Sequence, residues 1–240
     1  MRTNQRAGMI YRGIFLTFMV ASLAGCVKTG SGSTTSNNIS FITLMNMAPY
    51  TGSTEVYFNG IKQTSPVAAG SYTANYGQLP AGAYDIQFKV PGSDSVLSEL
   101  PSTAYDSLNF YTLILYNTAD SQVRSVKIND DFSTLSTTSA NYRFFQLSPG
   151  IPAVDLYFNS SNTQSGRNLA DNASYGFYNQ FQPMTPGAYT IEARKAGTDS
   201  VIASVTSVSL AAGSPYTIFL QGSSKSTTNP ISLKILLASY

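Results

Sequence analysis

The sequence predicts an all-β protein made of two tandem immunoglobulin-like β-sandwich domains. Three observations support this prediction. Apolar and polar residues alternate with a period of two, as in strands that bury one face. Gly and Pro residues that favour turns separate the alternating segments. The same short motifs also occur twice, in the same order, in a chain of 240 residues that has room for two domains of about 100 residues each.

The first 25 residues have the features of a secretory signal peptide. Three arginines precede an apolar run from 14 to 23, which is shorter than the ~20 residues that a membrane-spanning helix needs. The motif Leu-Ala-Gly-Cys then ends at Cys26 and resembles the lipobox of bacterial lipoproteins. The resemblance implies cleavage before Cys26 and attachment of a diacylglyceryl group to its sulfur. The alternative is an ordinary signal peptide followed by an incidental cysteine.

Residues 26–39 are predicted to comprise the lipidated cysteine and a flexible tether rich in Gly, Ser, Thr and Asn. Val27 follows the cysteine, where an Asp in similar envelope lipoproteins can retain the protein at the inner membrane. We therefore expect a lipid-anchored protein of the cell envelope, at the outer rather than the inner membrane. Cleavage would remove three of the 14 basic residues and none of the 12 acidic ones. The resulting net charge of −1 does not favour binding to nucleic acid.

The internal repeat defines the two domains. Residues 55–59 (EVYFN) recur as 155–159 (DLYFN), and residues 82–86 (GAYDI) recur as 187–191 (GAYTI). The offset between the copies grows from 100 to 105, so the second copy has five extra residues between the two motifs. The predicted domains are a first β-sandwich at 40–128, a linker at 129–141 and a second β-sandwich at 142–240.

Each copy is expected to contain about seven short antiparallel strands. The expected positions lie near 41–47, 54–59, 71–77, 83–90, 95–99, 109–116 and 123–128 in the first copy, and near 142–147, 153–159, 172–178, 187–194, 201–208, 215–221 and 231–237 in the second. Tyr216, and Tyr111 at the matching place, resemble the tyrosine corner of immunoglobulin-like sandwiches, in which the hydroxyl bonds back to the preceding loop. Neither copy can form a disulfide, because Cys26 is the only cysteine.

Several segments of the second copy together resemble a known family. Residues 148–157 (SPGIPAVDLY), 186–191 (PGAYTI) and 210–217 (LAAGSPYT) are similar to the bacterial domain-of-unknown-function family numbered 4397. The first copy is more divergent and lacks the Ala-Val-Asp core of the motif. The resemblance implies an extracytoplasmic β-sandwich module of the kind often found in cell-envelope proteins. It supplies no catalytic residues.

Acidic side chains are the main candidates for catalysis, because a chain without His lacks a Ser-His or Cys-His pair. The matched acids are Glu55 with Asp155 and Asp94 with Asp199, and an envelope hydrolase could use them as paired carboxylates. The alternative, which we favour, is that Asp94 and Asp199 bond the backbone of their own turns while Glu55 and Asp155 remain solvated.

The candidate for metal binding is 129–131 (NDD), two carboxylates without a fuller calcium-loop signature. A solvated linker is the alternative that we favour, so we expect no metal and no cofactor.

Exposed aromatic residues offer a candidate ligand surface. Tyr57 and Tyr157 should face outward, and Tyr175, Phe177 and Tyr178 cluster near the insertion of the second copy. Such side chains can stack on sugars or anchor a protein interface, although aromatic residues also simply cover sheet faces. The sequence therefore favours a non-enzymatic lipoprotein that presents two modules to an envelope protein, a glycan or a surface. A carbohydrate-binding or adhesion lipoprotein is the alternative.

Overall fold

The computed structural model describes residues 38–173 and 178–238, and these residues form an all-β structure, which confirms the predicted fold class. The predicted signal peptide, Cys26 and the tether up to residue 37 lie outside the described residues, as do Tyr175 and Phe177. Within the described part of the chain, no helix is long and apolar enough to span a membrane.

The first sandwich consists of two sheets. Its nine strands are β1 (Ile39–Met47), β2 (Glu55–Phe58), β3 (Ile61–Lys62), β4 (Ser71–Tyr72), β5 (Gly77–Pro80), β6 (Gly82–Lys89), β7 (Val96–Tyr105), β8 (Phe110–Ala119) and β9 (Gln122–Asn129). The outer sheet has the order β3-β2-β6-β7, and the inner sheet has the order β4-β1-β8-β9, with β5 also pairing with β1. Side chains from both sheets, including Val56, Ile86, Phe88 and Leu113, form the core between them.

The second sandwich repeats this arrangement. Its elements are β10 (Ala140–Gln146), β11 (Val154–Phe158), β12 (Ser161–Arg167), a 3₁₀ helix (Leu169–Ala173), β13 (Gln182–Met184), β14 (Gly187–Lys195), β15 (Val201–Leu210), β16 (Pro215–Gln221) and β17 (Ser232–Leu237). The outer sheet has the order β12-β11-β14-β15, and the inner sheet has the order β13-β10-β16-β17. Phe144, Leu156, Ile191 and Ile218 lie in the core between these two sheets.

Two details of the predicted strands are wrong. The inner strands β1 and β8 pair in parallel, as do β10 and β16, whereas only antiparallel pairing was expected. The strand expected at 172–178 is replaced at its start by the 3₁₀ helix, and β12 and β13 lie on either side. Local hydrogen bonds explain the helix, because the side chain of Asn168 accepts from the N–H of Ala170 and that of Asp171 accepts from the N–H of Asn168.

The tyrosine corner is present in both sandwiches. The N–H of Ala211 donates to the hydroxyl of Tyr216 at 2.9 Å, and the N–H of Asp106 donates to that of Tyr111 at the same distance. Both rings are buried. Each bond links the end of an outer strand, β15 or β7, to the start of the inner strand that follows it.

The two sandwiches pack against each other through their inner sheets. A single buried cluster contains Met45, Met47, Ile114 and Tyr116 of the first sandwich and Phe145, Leu147 and Phe219 of the second. The central inner strands β1, β8, β10 and β16 are therefore buried on both faces over most of their length, and apolar residues dominate their sequences. The predicted linker corresponds to residues 130–139 between strands, since Asn129 closes β9 and Ala140 opens β10.

Candidate functional site

The matched strand acids are buried, so the expectation that they stay solvated is wrong. Asp155 accepts hydrogen bonds from the backbone N–H of Gly166 at 2.8 Å and of Gly197 at 2.9 Å. Glu55 accepts from Nζ of Lys62 at 2.5 Å and from the hydroxyl of Tyr57 at 3.0 Å. The hydrogen bond from Lys62 holds the pKa of Glu55 below its ordinary value. Each carboxylate therefore lies on the outer face of its sheet and links its own strand to neighbouring strands or turns through hydrogen bonds.

Asp94 and Asp199 were expected to bond the backbone of their own hairpin turns, and this expectation is wrong. Ser93 and Thr198 do so instead, because their hydroxyl oxygens accept the N–H groups of Ser95 and Ser200. Asp199 is fully exposed and lies 3.4 Å from a guanidinium nitrogen of Arg194. Asp94 is equally exposed and lies 3.8 Å from Nζ of Lys89. The sequence did contain a signal for these caps, because a hydroxyl residue stands two positions before the residue whose N–H it accepts. The acidic residue between the two was interpreted as the cap instead.

The linker acid Asp130 lies in a buried polar cluster that joins the two sandwiches. Its carboxylate accepts from the guanidinium of Arg143 at 2.5 Å, from the hydroxyl of Thr112 at 2.6 Å and from that of Tyr76 at 2.7 Å. Arg143 also donates to the hydroxyl of Thr217 at 2.9 Å. Burial, together with the negative charge of Asp130, raises the pKa of Tyr76 well above its ordinary value.

This cluster replaces the metal site considered for 129–131. The carboxylate of Asp130 is neutralised by Arg143, and Asp131 instead accepts from the N–H and hydroxyl of Ser133. Among the described residues there is no group of three or more His, Cys, Asp or Glu residues that could hold a metal ion. Sequence reasoning missed Arg143, although a single charged residue within the apolar run YRFF was a signal of a buried ion pair.

The candidate tyrosines do not form one surface. Tyr57 lies on the outer face of the first sandwich, with Nζ of Lys89 4.7 Å from its ring centroid. Tyr157 lies on the outer face of the second, with the guanidinium of Arg194 4.1 Å from its ring centroid. Tyr178 lies elsewhere in the second sandwich, in a cleft described below. Each cation occupies a ring face that a sugar would need for stacking.

Equivalent clefts open along one side of each sandwich, where an edge of the outer sheet faces an edge of the inner sheet. In the first sandwich, the cleft lies between β3 and β5, has a volume of about 260 Å³, and includes the apolar side chains of Ile42, Leu44 and Phe58 in its lining. In the second, the cleft lies between β12 and β13 and has a volume of about 460 Å³. Its lining is formed by Tyr142, Thr163, Gln164, Ser165, Arg167, Tyr178, Gln180, Gln182 and Pro183.

Arg167 organises the wall of the second cleft. Its guanidinium donates to Asp171 at 2.9 Å, to the backbone carbonyl of Phe144 at 2.9 Å and to the side-chain oxygen of Gln164. The same group lies 4.6 Å from the ring centroid of Tyr178. Because Asp171 neutralises Arg167, the wall of the cleft carries no net charge and offers mainly amide and hydroxyl groups.

Comparisons with known proteins identify a family but no activity. The family model described as "Domain of unknown function (DUF4397)" matches residues 40–157 and 143–235. No curated protein matches. Nine chains of solved structures match, among them a crystal structure of a candidate cell adhesion protein from Bacteroides fragilis. That protein is 11% identical, the alignment covers 92% of each chain, and the TM-score is 0.22, so this similarity carries no argument about function.

Proposed function

The chain belongs to the DUF4397 family, whose description gives no activity, and from this premise we propose a non-enzymatic, lipid-anchored protein of the cell envelope. Its two β-sandwich modules would present loops and sheet edges to another envelope protein, a glycan or a surface. Placement at the outer membrane, with the lipid as the contact to the bilayer, is part of the proposal.

The observation that carries the anchor is the position of Cys26. The only cysteine of the chain directly follows a short apolar run and the residues Leu-Ala-Gly. A stretch rich in Gly, Ser and Thr separates it from β1, which begins at Ile39. Several acyl chains on one residue would hold the protein stably, whereas a single chain gives only marginal binding.

The way the structure uses its carboxylates supports a non-enzymatic role. Asp155 accepts two backbone N–H groups, and Asp130 is paired with Arg143. Glu55 is paired with Lys62 and Tyr57. A carboxylate engaged in this way is not available as a general acid or a nucleophile without breaking the bonds that fasten its strands.

Substitution of Cys26 tests the anchor. The Cys26→Ala variant of the full-length chain should lose incorporation of radiolabelled palmitate and leave the membrane fraction, or accumulate as an uncleaved precursor. The natural chain should sediment with the outer membrane in a density gradient. Lys28→Ala, two residues further along the tether, is the matched control and should remain lipidated and membrane-bound. Unchanged processing and fractionation of Cys26→Ala would rule out the lipid anchor.

A further inference from the structure

We propose that the cleft between β12 and β13 of the second sandwich is a binding site for a neutral oligosaccharide. This inference deepens the proposed interaction role by naming the ligand class of one module. It does not depend on where the protein is anchored. The volume of about 460 Å³ lies within the range of sites that hold small ligands.

Comparison of the two repeats shows how the second cleft acquired its polar lining. Residue 42 of β1 is Ile, whereas the matching residue of β10 is Tyr142. Gly77 of β5 pairs with Ile42, and at the same register of the second sandwich Gln182 of β13 pairs with Tyr142. The extra residues of the second copy lie in the segment that includes Tyr178 and Gln180. The smaller cleft of the first sandwich, whose lining is partly apolar, thus corresponds to a larger cleft in the second sandwich whose lining is mostly polar.

The charge of the cleft favours a neutral ligand. Arg167 is the only charged residue of the lining, and it is 4% exposed. Its guanidinium is already satisfied by Asp171, Gln164 and the carbonyl of Phe144. An anionic sugar or a phosphate would find no unpaired cation here, so attraction to acidic ligands should be weak.

Two open amides provide the means to recognise hydroxyl groups. The side chains of Gln180 and Gln182 make no hydrogen bond to any other described residue, and both line the cleft. An amide offers two N–H donors and a carbonyl acceptor, which match the paired donor and acceptor character of neighbouring sugar hydroxyls. Thr163, Ser165 and the hydroxyl of Tyr178 add shorter polar groups beside them.

An extended peptide is the competing occupant, because β12 and β13 are edge strands of their sheets and could accept an added strand. The side chains argue for the sugar. A peptide that adds to an edge is held through backbone groups and needs pockets for alternate side chains, whereas the open groups of this cleft are the side-chain amides of Gln180 and Gln182.

The test is calorimetric titration of the full-length, detergent-solubilised protein. The neutral probes are cellotetraose, maltotetraose and xylotetraose, the acidic comparator is a galacturonic acid tetramer, and an uncharged Ser-Val repeat hexapeptide represents the peptide. We expect saturable binding of at least one neutral probe. The double variant Gln180→Ala with Gln182→Ala should weaken it by about fivefold or more, because each substitution removes the hydrogen bonds of one amide.

The repeat provides a matched control in Gln63→Ala with Gln78→Ala, two glutamines that line the cleft of the first sandwich. This variant should bind as the natural chain does, and both variants should keep the natural unfolding temperature because their glutamines are on the surface. The proposal is overturned if no neutral probe binds at millimolar concentration, if only the acid or the peptide binds, or if the two variants behave alike. Each of these outcomes leaves the result with Cys26→Ala, and hence the anchoring proposal, unaffected.

Discussion

The asparagine that recurs in the two copies makes the same hydrogen bond in both. Asn159 has a positive φ of 46° at the start of the β11–β12 turn, and its side-chain oxygen accepts the N–H of Thr190 in β14 at 2.8 Å. Asn59 has a φ of 47° and accepts the N–H of Asp85 in β6 at 2.9 Å. Asn tolerates this left-handed backbone better than most residues. The Asn of the repeated motif Tyr-Phe-Asn therefore has a structural role, because its side chain links a hairpin turn to the neighbouring strand of the sheet.

Asp155 also accepts backbone N–H groups, those of Gly166 and Gly197, and its removal should destabilise the second sandwich. We expect Asp155→Ala to lower the free energy of unfolding by about 1.5–3 kcal/mol, because two backbone N–H groups lose a charged acceptor. Chemical denaturation followed by circular dichroism measures the change. Asp199→Ala is the control, since that carboxylate is fully exposed, and it should leave the denaturation midpoint unchanged. Equal midpoints for the two variants would mean that the bonds to Gly166 and Gly197 do not stabilise the fold.

At the scale of elements, the tyrosine corner connects the two sheets of each sandwich. Tyr216→Phe should cost about 0.5–1.5 kcal/mol of unfolding free energy, because the N–H of Ala211 loses its acceptor while the ring stays packed. Tyr111→Phe should cost a similar amount in the first sandwich. The control is Tyr72→Phe, since that hydroxyl makes no hydrogen bond to another described residue. A loss for Tyr72→Phe as large as that for Tyr216→Phe would contradict the role of the corner.

Most strands could be predicted from the sequence because period-two alternation and turn residues are local signals. β14 was expected at 187–194 and spans Gly187–Lys195, and β16 was expected and found at 215–221. The 3₁₀ helix was not predictable in this way, because it depends on side-chain bonds of Asn168 and Asp171 that compete with a strand.

The burial of the candidate site residues could not be predicted from the sequence, because it depends on contacts between segments that are distant along the chain. Alternation correctly placed Asp155 on the outer face of its sheet, but the irregular part of β12 at Gly166 and the turn at Gly197 lie over that face and bury the carboxylate. The clefts could not be predicted either, because each is formed by edges of two sheets that are distant in sequence. The polar wall of the second cleft had one local signal, the five extra residues of the second copy.

At the scale of the whole molecule, the two repeats share a buried interface. The inner strands of both sandwiches contribute to one apolar cluster, in which Phe145 and Phe219 are fully buried. Tyr72 of β4 also packs edge-on against the ring of Phe219, with centroids 5.7 Å apart. An interface of this kind resembles a domain core more than a flexible junction, so we expect the two sandwiches to unfold together.

The ion pair between Arg143 and Asp130 provides the sharpest test of this coupling, because its partners come from β10 and from the connection between the sandwiches. Arg143→Met should lower the free energy of unfolding by about 3–5 kcal/mol, since Asp130 would keep a buried charge without its partner. Adding Asp130→Asn to Arg143→Met should recover part of this loss, because the buried charge is removed as well. Arg143→Met, Asp130→Asn, the double variant and the natural chain are compared by denaturant unfolding. Lys225→Ala breaks an exposed ion pair with Asp120 between the same two sandwiches and should leave the midpoint unchanged. Losses that simply add in the double variant, or an Arg143→Met variant as stable as Lys225→Ala, would show that the polar cluster does not couple the two repeats.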